Sequence, residues 1–206
     1  MSPTFFALIS WTAVGAGTLS MWAQFRRVTT QGIDGVSLAT WLMFSLLSGF
    51  WMAYGDLSAH SLAIFAGSAL AWPLQWFIVV RLKPWRRRRG SSQALALFVA
   101  TCMVPGLVGG WAWCVYGSGV AMTLLRVPQF VHLMRSRDTS GVSSASWFIS
   151  AATATLWIVY YAHAHLGAAL VASGFSGTAS VVIGTLAVRR HRQEQVDLVG
   201  AEAFAN

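Results

Sequence analysis

Seven runs of about twenty apolar residues dominate the chain, at roughly 4–24, 36–55, 60–82, 91–108, 109–131, 142–162 and 166–188. A hydrocarbon core about 30 Å thick takes about 20 helical residues to cross. Backbone N–H and C=O groups find no water there, so the runs must satisfy themselves as helices. Charged residues make up only 10% of the sequence, against about 25% in an ordinary soluble domain. These features predict an all-α integral membrane protein, multi-pass, in a plasma or inner cell membrane. The fourth and fifth runs adjoin. A turn between them is expected within Pro105-Gly106-Leu107-Val108-Gly109-Gly110, where helix breakers cluster; one long kinked helix is the alternative.

The fourteen basic residues occupy four places. Arg26 and Arg27 follow the first run; Arg81, Lys83 and Arg86 to Arg89 follow the third. Arg126, Arg135 and Arg137 flank the end of the fifth, and Arg189, Arg190 and Arg192 follow the seventh. Under the positive-inside rule the N-terminus lies outside and the C-terminus in the cytoplasm. That orientation needs an odd number of crossings, and seven satisfies it. The net charge of +8 is then topological, the basic stretch 83–92 included, with membrane lipid and no nucleic acid as partner; a nucleic-acid or anionic-lipid patch at 83–92 is the alternative. Cys102 and Cys114 give no disulfide framework. The first run lacks a basic leader and a small-residue cleavage site, so it reads as a retained helix. The tail after Arg192 is expected to be loosely ordered.

An internal repeat organises the runs. Gln24 and Gln129 lie 105 positions apart. Past one inserted residue the offset is 106, pairing Gly35-Val36-Ser37 with Gly141-Val142-Ser143, Trp41 with Trp147, Trp51 with Trp157 and Tyr54 with Tyr160. Each unit holds three spans, and both polar loops lie on the basic side. Two three-span units in one orientation require a single span between them, which is the fourth run. The predicted organisation is 3+1+3: a first unit at 1–82, a basic loop and linker helix at 83–108, a second unit at 109–188 and a cytoplasmic tail at 189–206. Parallel repeats about an axis along the membrane normal are a transporter architecture, with the site expected near midplane between them.

The polar loops offer two readings. Pro128 removes a backbone donor and lets a helix bend or end, and Gln129 can bond carbonyls freed by the bend. Gln24, Pro128 and Gln129 then form hinges for a rocking motion. Alternatively, they terminate helices with a polar cap. Ala23 stands where the first unit would have its Pro. Ser37 and Ser143 are placed to cap the helices that follow them, with Asp34 and Asp138 near the same positive helix ends. Trp41 and Trp147, just inside those helices, read as interfacial anchors. Trp51 and Trp157 lie ten residues further on, about 15 Å deeper at 1.5 Å per residue. Tyr54 and Tyr160 follow at i+3. These two aromatic faces are either opposed walls of a solute pocket or tight helix packing.

The Pro-Gln of 128–129, the basic loop, Gly-Val-Ser, the Trp after it and the 3+1+3 layout resemble the PQ-loop and SWEET family of seven-span membrane proteins, from about residue 4 to 188. Members are mostly small-solute carriers: sugar facilitators, lysosomal cystine and cationic amino-acid exporters, and a retrieval receptor of the same fold. The resemblance implies a sugar site between a Trp pair and an Asn pair near midplane. The Trp pair matches Trp157 with Tyr160, and Trp51 with Tyr54. The Asn positions fall at about Ala66 and Ser173, with Ser68 nearby, and the chain's only Asn is Asn206. A hydroxyl offers one donor where an amide offers two and an acceptor.

Three functions follow as expectations. The first is a carrier for a small polar solute, foremost a sugar, working by alternating access, with Trp51, Tyr54, Ser68, Trp157, Tyr160 and Ser173 at the site. The second is a proton-coupled carrier for an amino acid or organic cation, with Asp56 as the proton site. The third is a non-transporting receptor or scaffold. Gln75, beside Trp72-Pro73, is placed to face the interior. No embedded nucleophile–base set, carboxylate pair or metal-ligand cluster points to an enzyme, a cofactor or a metal. The single Lys, Lys83, lies in a loop, so no retinal Schiff base is expected. Small residues at Gly167, Val171, Gly174 and Gly177 allow close helix approach, within the chain or in a homo-oligomer.

Overall fold

A computed structural model describes residues 3–34, 36–82, 84–135 and 141–205. Gly35, Lys83, Arg137, Asp138 and Asn206 lie outside the described residues, as do the side chains of Pro128 and Arg86 to Arg89. The regular structure among the described residues is helical throughout: α1 (Pro3–Gln31), α2 (Leu38–Leu57), α3 (Leu62–Arg81), α4 (Pro84–Phe98), α5 (Val104–Leu124), α6 (Arg126–Arg135), α7 (Ser144–His163) and α8 (Gly167–Ala205). Among the described residues, five segments are long and apolar enough to cross a membrane: Thr4–Gln31, Leu38–Leu57, Leu62–Arg81, Ser91–Arg135 and Gly167–Gln193. Large apolar side chains such as Leu8, Leu62, Leu107, Val108, Trp113 and Phe175 face outward. Such a surface belongs in lipid rather than water, and the molecule has the build of a membrane protein.

The 45-residue segment Ser91–Arg135 would measure about 68 Å as one straight helix at 1.5 Å per residue, twice the hydrocarbon thickness. It is not straight. Pro105 has no N–H to give Thr101, and the ladder widens there into one π-helical turn, Val99–Met103, closed by Val104 N–H donating to Val99 O. The chain then turns at Gly109 (φ −124°, ψ 15°) and Gly110 (φ 64°, ψ −153°), the second a conformation that glycine adopts without strain. Beyond it the helix doubles back. A Cβ added to Gly117 would strike the carbonyl of Thr101, and one added to Gly106 would strike Cys114. The reversal falls at the glycine pair of the expected turn.

Two further boundaries differ from the sequence reading. α1 continues past Gln24 to Gln31, and α8 runs on through the tail to Ala205. Neither extension contains proline, and the tail is rich in Gln, Glu, Leu and Ala, which favour helix. In the second half, by contrast, the helix is interrupted at Leu125, between α5 and α6 and three residues before Pro128.

The helices close a ring. α3 lies between α1 and α2, and α8 lies between α5 and α7. α1 packs along α7, while α2 meets α5 and α6, and α4 lies against α2. Two matching cores hold the basic end together. One contains Val28, Val36, Trp41, Ile78 and Leu82; the other contains Leu133, Val142, Trp147, Ile183 and Ala187. Every member of the second is 105 or 106 positions beyond its counterpart. Trp41 and Trp147 are 2% and 4% exposed, so they serve as core residues and not as interfacial anchors. On α8, a Cβ at Gly177 would sit 3.1 Å from Ala154 of α7, whereas Gly167 and Gly174 have nothing within 4 Å.

Candidate functional site

Ser37 and Ser143 sit in extended conformation before α2 and α7, and each hydroxyl accepts from the backbone N–H three residues on, Thr40 at 3.4 Å and Ser146 at 3.1 Å. Both predicted caps form. The other ends of these helices also match. After α2, Ser58 and Ala59 donate to Tyr54 O and Ser61 to Gly55 O; after α7, Ala164 donates to Tyr160 O and Leu166 to Tyr161 O. His60 and His165 hold the left-handed position of each cap, at φ 45° and 56°.

The glutamines of the polar loops act across the molecule. Gln24, 1% exposed on α1, donates through Nε2 to Gly141 O at 2.7 Å and accepts from Ser143 N–H at 2.9 Å. Gln129, equally buried on α6, accepts from Ser37 N–H at 3.2 Å. Each glutamine therefore serves the helix start of the opposite half. One turn deeper, Ser20 of α1 donates to Ser146 O at 2.7 Å and lies 2.6 Å from the Ser150 hydroxyl. Its counterpart contact is Thr40 Oγ1 donating to Leu125 O at 2.7 Å. At the far end, the Tyr160 hydroxyl meets the Ser61 hydroxyl at 3.1 Å, again joining the two halves.

Between these two sets of bonds lies a cavity of about 180 Å³. Of the predicted site residues, Trp51, Trp157, Ser68 and Ser173 line it. Ser68 and Ser173 are 105 apart, the offset that relates the two cores. Tyr54 and Tyr160 do not line it; they stand edge-on to their Trp neighbours at 5.4 and 5.7 Å between ring centroids. The lining ring is Tyr161, which stacks near-parallel between Trp51 at 6.3 Å and Trp157 at 5.3 Å. Helix geometry explains the choice. A residue at i+4 lies about 40° round the helix from residue i, and one at i+3 about 60° on the other side. Ile64 and Gly67 of α3 press on this aromatic group, a Cβ at Gly67 falling 3.3 Å from Trp157.

Polar groups gather toward the basic end of the cavity: Ser48, Gln75, Arg126, Ser150, Thr153 and Ser176. Gln75 was legible as interior-facing. Arg126 was not, because it reads as one more basic residue of a positive-inside loop. It is 5% exposed; Nη2 donates to the Ser176 hydroxyl at 2.7 Å and Nη1 to Met122 O. Its guanidinium faces the Phe44 and Trp147 rings at 5.4 and 5.8 Å. Asp56 is exposed, in a surface recess with His60 and Ser61, apart from the cavity. Compared with known proteins, the chain matches no family model, no curated protein and no solved structure.

Proposed function

We propose that the protein is a membrane transporter that moves a small polar solute, foremost a sugar or sugar-like molecule, by alternating access between two parallel three-helix halves. In this reading the reversal at Gly109–Gly110 divides Ser91–Arg135 into two crossings, and α7 completes a count of seven. The layout is then 3+1+3, with α4 in the linker crossing, the N-terminus outside and the basic end in the cytoplasm of a plasma or inner membrane. The PQ-loop and SWEET resemblance of the motifs points the same way.

One observation carries the reading. A cavity lined by both halves is bridged at both ends by hydrogen bonds that join one half to the other: Gln24 and Gln129 at the basic end, Tyr160 and Ser61 at the far end. A carrier needs two such closures, opened in turn, around one binding space. Trp51 and Trp157 supply flat apolar faces for a solute ring, and Ser68 and Ser173 supply hydroxyls.

The test is uptake by purified protein in liposomes, over a panel of neutral sugars, sugar acids and amino acids, with and without a pH gradient. Saturable uptake of at least one polar solute is expected. Trp157→Ala should lower that uptake at least tenfold while the protein remains monodisperse and melts near wild type. Absence of uptake across the panel, or equal loss of folding and flux in the variant, would leave the aromatic group as packing and favour a receptor or scaffold.

A further inference from the structure

Among the described residues, three buried side-chain atoms have no hydrogen-bond partner: Trp51 Nε1, Gln75 Oε1 and Arg126 Nε. All three residues line the central cavity. Buried polar groups are almost always paired, so three orphans gathered around one space mark the needs of an occupant. Two are donors and one is an acceptor.

Arg126 sets the chemistry of that occupant. Its partners, Met122 O and the Ser176 hydroxyl, are neutral, as are the Phe44 and Trp147 rings against its face. The two carboxylates whose side chains are described, Asp34 and Asp56, are both exposed, and neither is among these partners. A guanidinium has five N–H donors, and two are in use. Removing a cation from water without a counter-charge is costly, and a planar guanidinium is the side chain best matched to a carboxylate. Nor is the charge demanded by the fold: the equivalent position in the first half is Met21, which also lines the cavity.

We infer that the cavity receives a small solute bearing a carboxylate. Its oxygens accept from Arg126 at the basic end, and its body extends toward Trp51, Trp157 and Tyr161. On α2, Phe44 beside Arg126 and Trp51 are seven residues apart, which separates the two ends by about 10 Å. A hydroxyl or amine on the body donates to Gln75 Oε1. At about 180 Å³ the space lies below the 300–1,000 Å³ typical of drug-sized ligands, so the solute is small. Sugar acids meet both demands, a ring for the tryptophans and a carboxylate for Arg126. The inference rests on the transport reading only for how the solute moves; binding can be measured without flux.

The test is a titration of the full-length protein in nanodiscs, read by tryptophan fluorescence, with glucuronate and lactate as acids and with glucuronamide and glucose as neutral counterparts. Saturable binding of an acid at least tenfold tighter than its neutral counterpart is expected. Arg126→Met, which installs the residue of the equivalent position, should abolish that preference, and Arg126→Lys should retain part of it. Should Arg126→Met not fold, the wild-type preference for glucuronate over glucuronamide, with displacement by lactate, decides the matter. Equal binding of acid and neutral forms, unchanged acid binding by Arg126→Met, or no binding of any probe would overturn the inference. Neutral sugars taken up without any acid binding would overturn it and leave the transport reading intact. Arg126-dependent acid binding with no liposome uptake would do the reverse.

Discussion

Where the second half of the molecule has Arg126, Pro128 and Tyr161, the first half has Met21, Ala23 and Gly55. The surrounding framework is shared: matching N-caps, matching left-handed histidines, crossed glutamines and paired cores at an offset of 105 or 106. The differences fall on the cavity and on the helix that leads into it. The repeat thus accounts for the scaffold and for the Trp51–Trp157 and Ser68–Ser173 pairs of the cavity, while Arg126 and Tyr161 are particular to the second half. Only one half needs to carry each polar or aromatic group, because the cavity is single and both halves reach it. Tyr161 illustrates the point. Its ring fills the gap between both tryptophans, and at Gly55 even a Cβ would lie 2.7 Å from the backbone nitrogen of Phe65.

The largest expected effect breaks this asymmetry at the aromatic group. Tyr161→Ala empties a site that is 5% exposed, and truncating a buried aromatic costs about 3–5 kcal/mol. Thermal unfolding in detergent should register that loss, and a shift equivalent to under 1 kcal/mol would mean that the two tryptophans close on each other instead. Next in size is Ala23→Pro, which would give the first half the joint of the second. Inside the continuous α1 it should cost about 3 kcal/mol through the lost N–H and the clash with the preceding turn. The reciprocal Pro128→Ala should leave stability within about 1 kcal/mol, since it restores a single helical N–H, and should slow flux if the interruption at Leu125 is used in rocking. Unchanged melting in Ala23→Pro would show that α1 already bends as freely as its counterpart. The smallest effect tests what the halves share. Ser37→Ala and Ser143→Ala each remove one N-cap and should cost about 1 kcal/mol apiece; a twofold difference between them would reveal unequal helix starts.

Much of this was legible in the residues. The caps at Ser37 and Ser143, the turn at Gly109–Gly110, the interior Gln75 and the cavity-lining Trp51 and Trp157 follow from local chemistry or from the repeat, whereas Ser68 and Ser173 were pointed to by the family resemblance alone. What stayed hidden depends on contacts between distant segments or on helix rotation. Gln24 finds its partners 117 and 119 residues away, and nothing in its neighbours announces that. Choosing Tyr161 over Tyr160 turns on about 100° of rotation between adjacent helical residues. Trp41 and Trp147 lie near helix starts, as interfacial tryptophans do, yet the crossed loops draw them into the core. Arg126 was masked by its company, because positive-inside counting treats every arginine near a loop alike.

The crossed glutamines also order events during synthesis. When the ribosome has released the first three helices, the N–H of Ser37 still awaits an acceptor that is encoded 92 residues downstream. Gln24, already in place, waits for Gly141 and Ser143, which emerge later still. Neither half can complete its own second helix, so the nascent chain holds its first half unfinished until the second is inserted beside it. A product truncated after α4 would keep Gln24 and the Ser37 N–H but lack Gly141, Ser143 and Gln129, the groups that satisfy them.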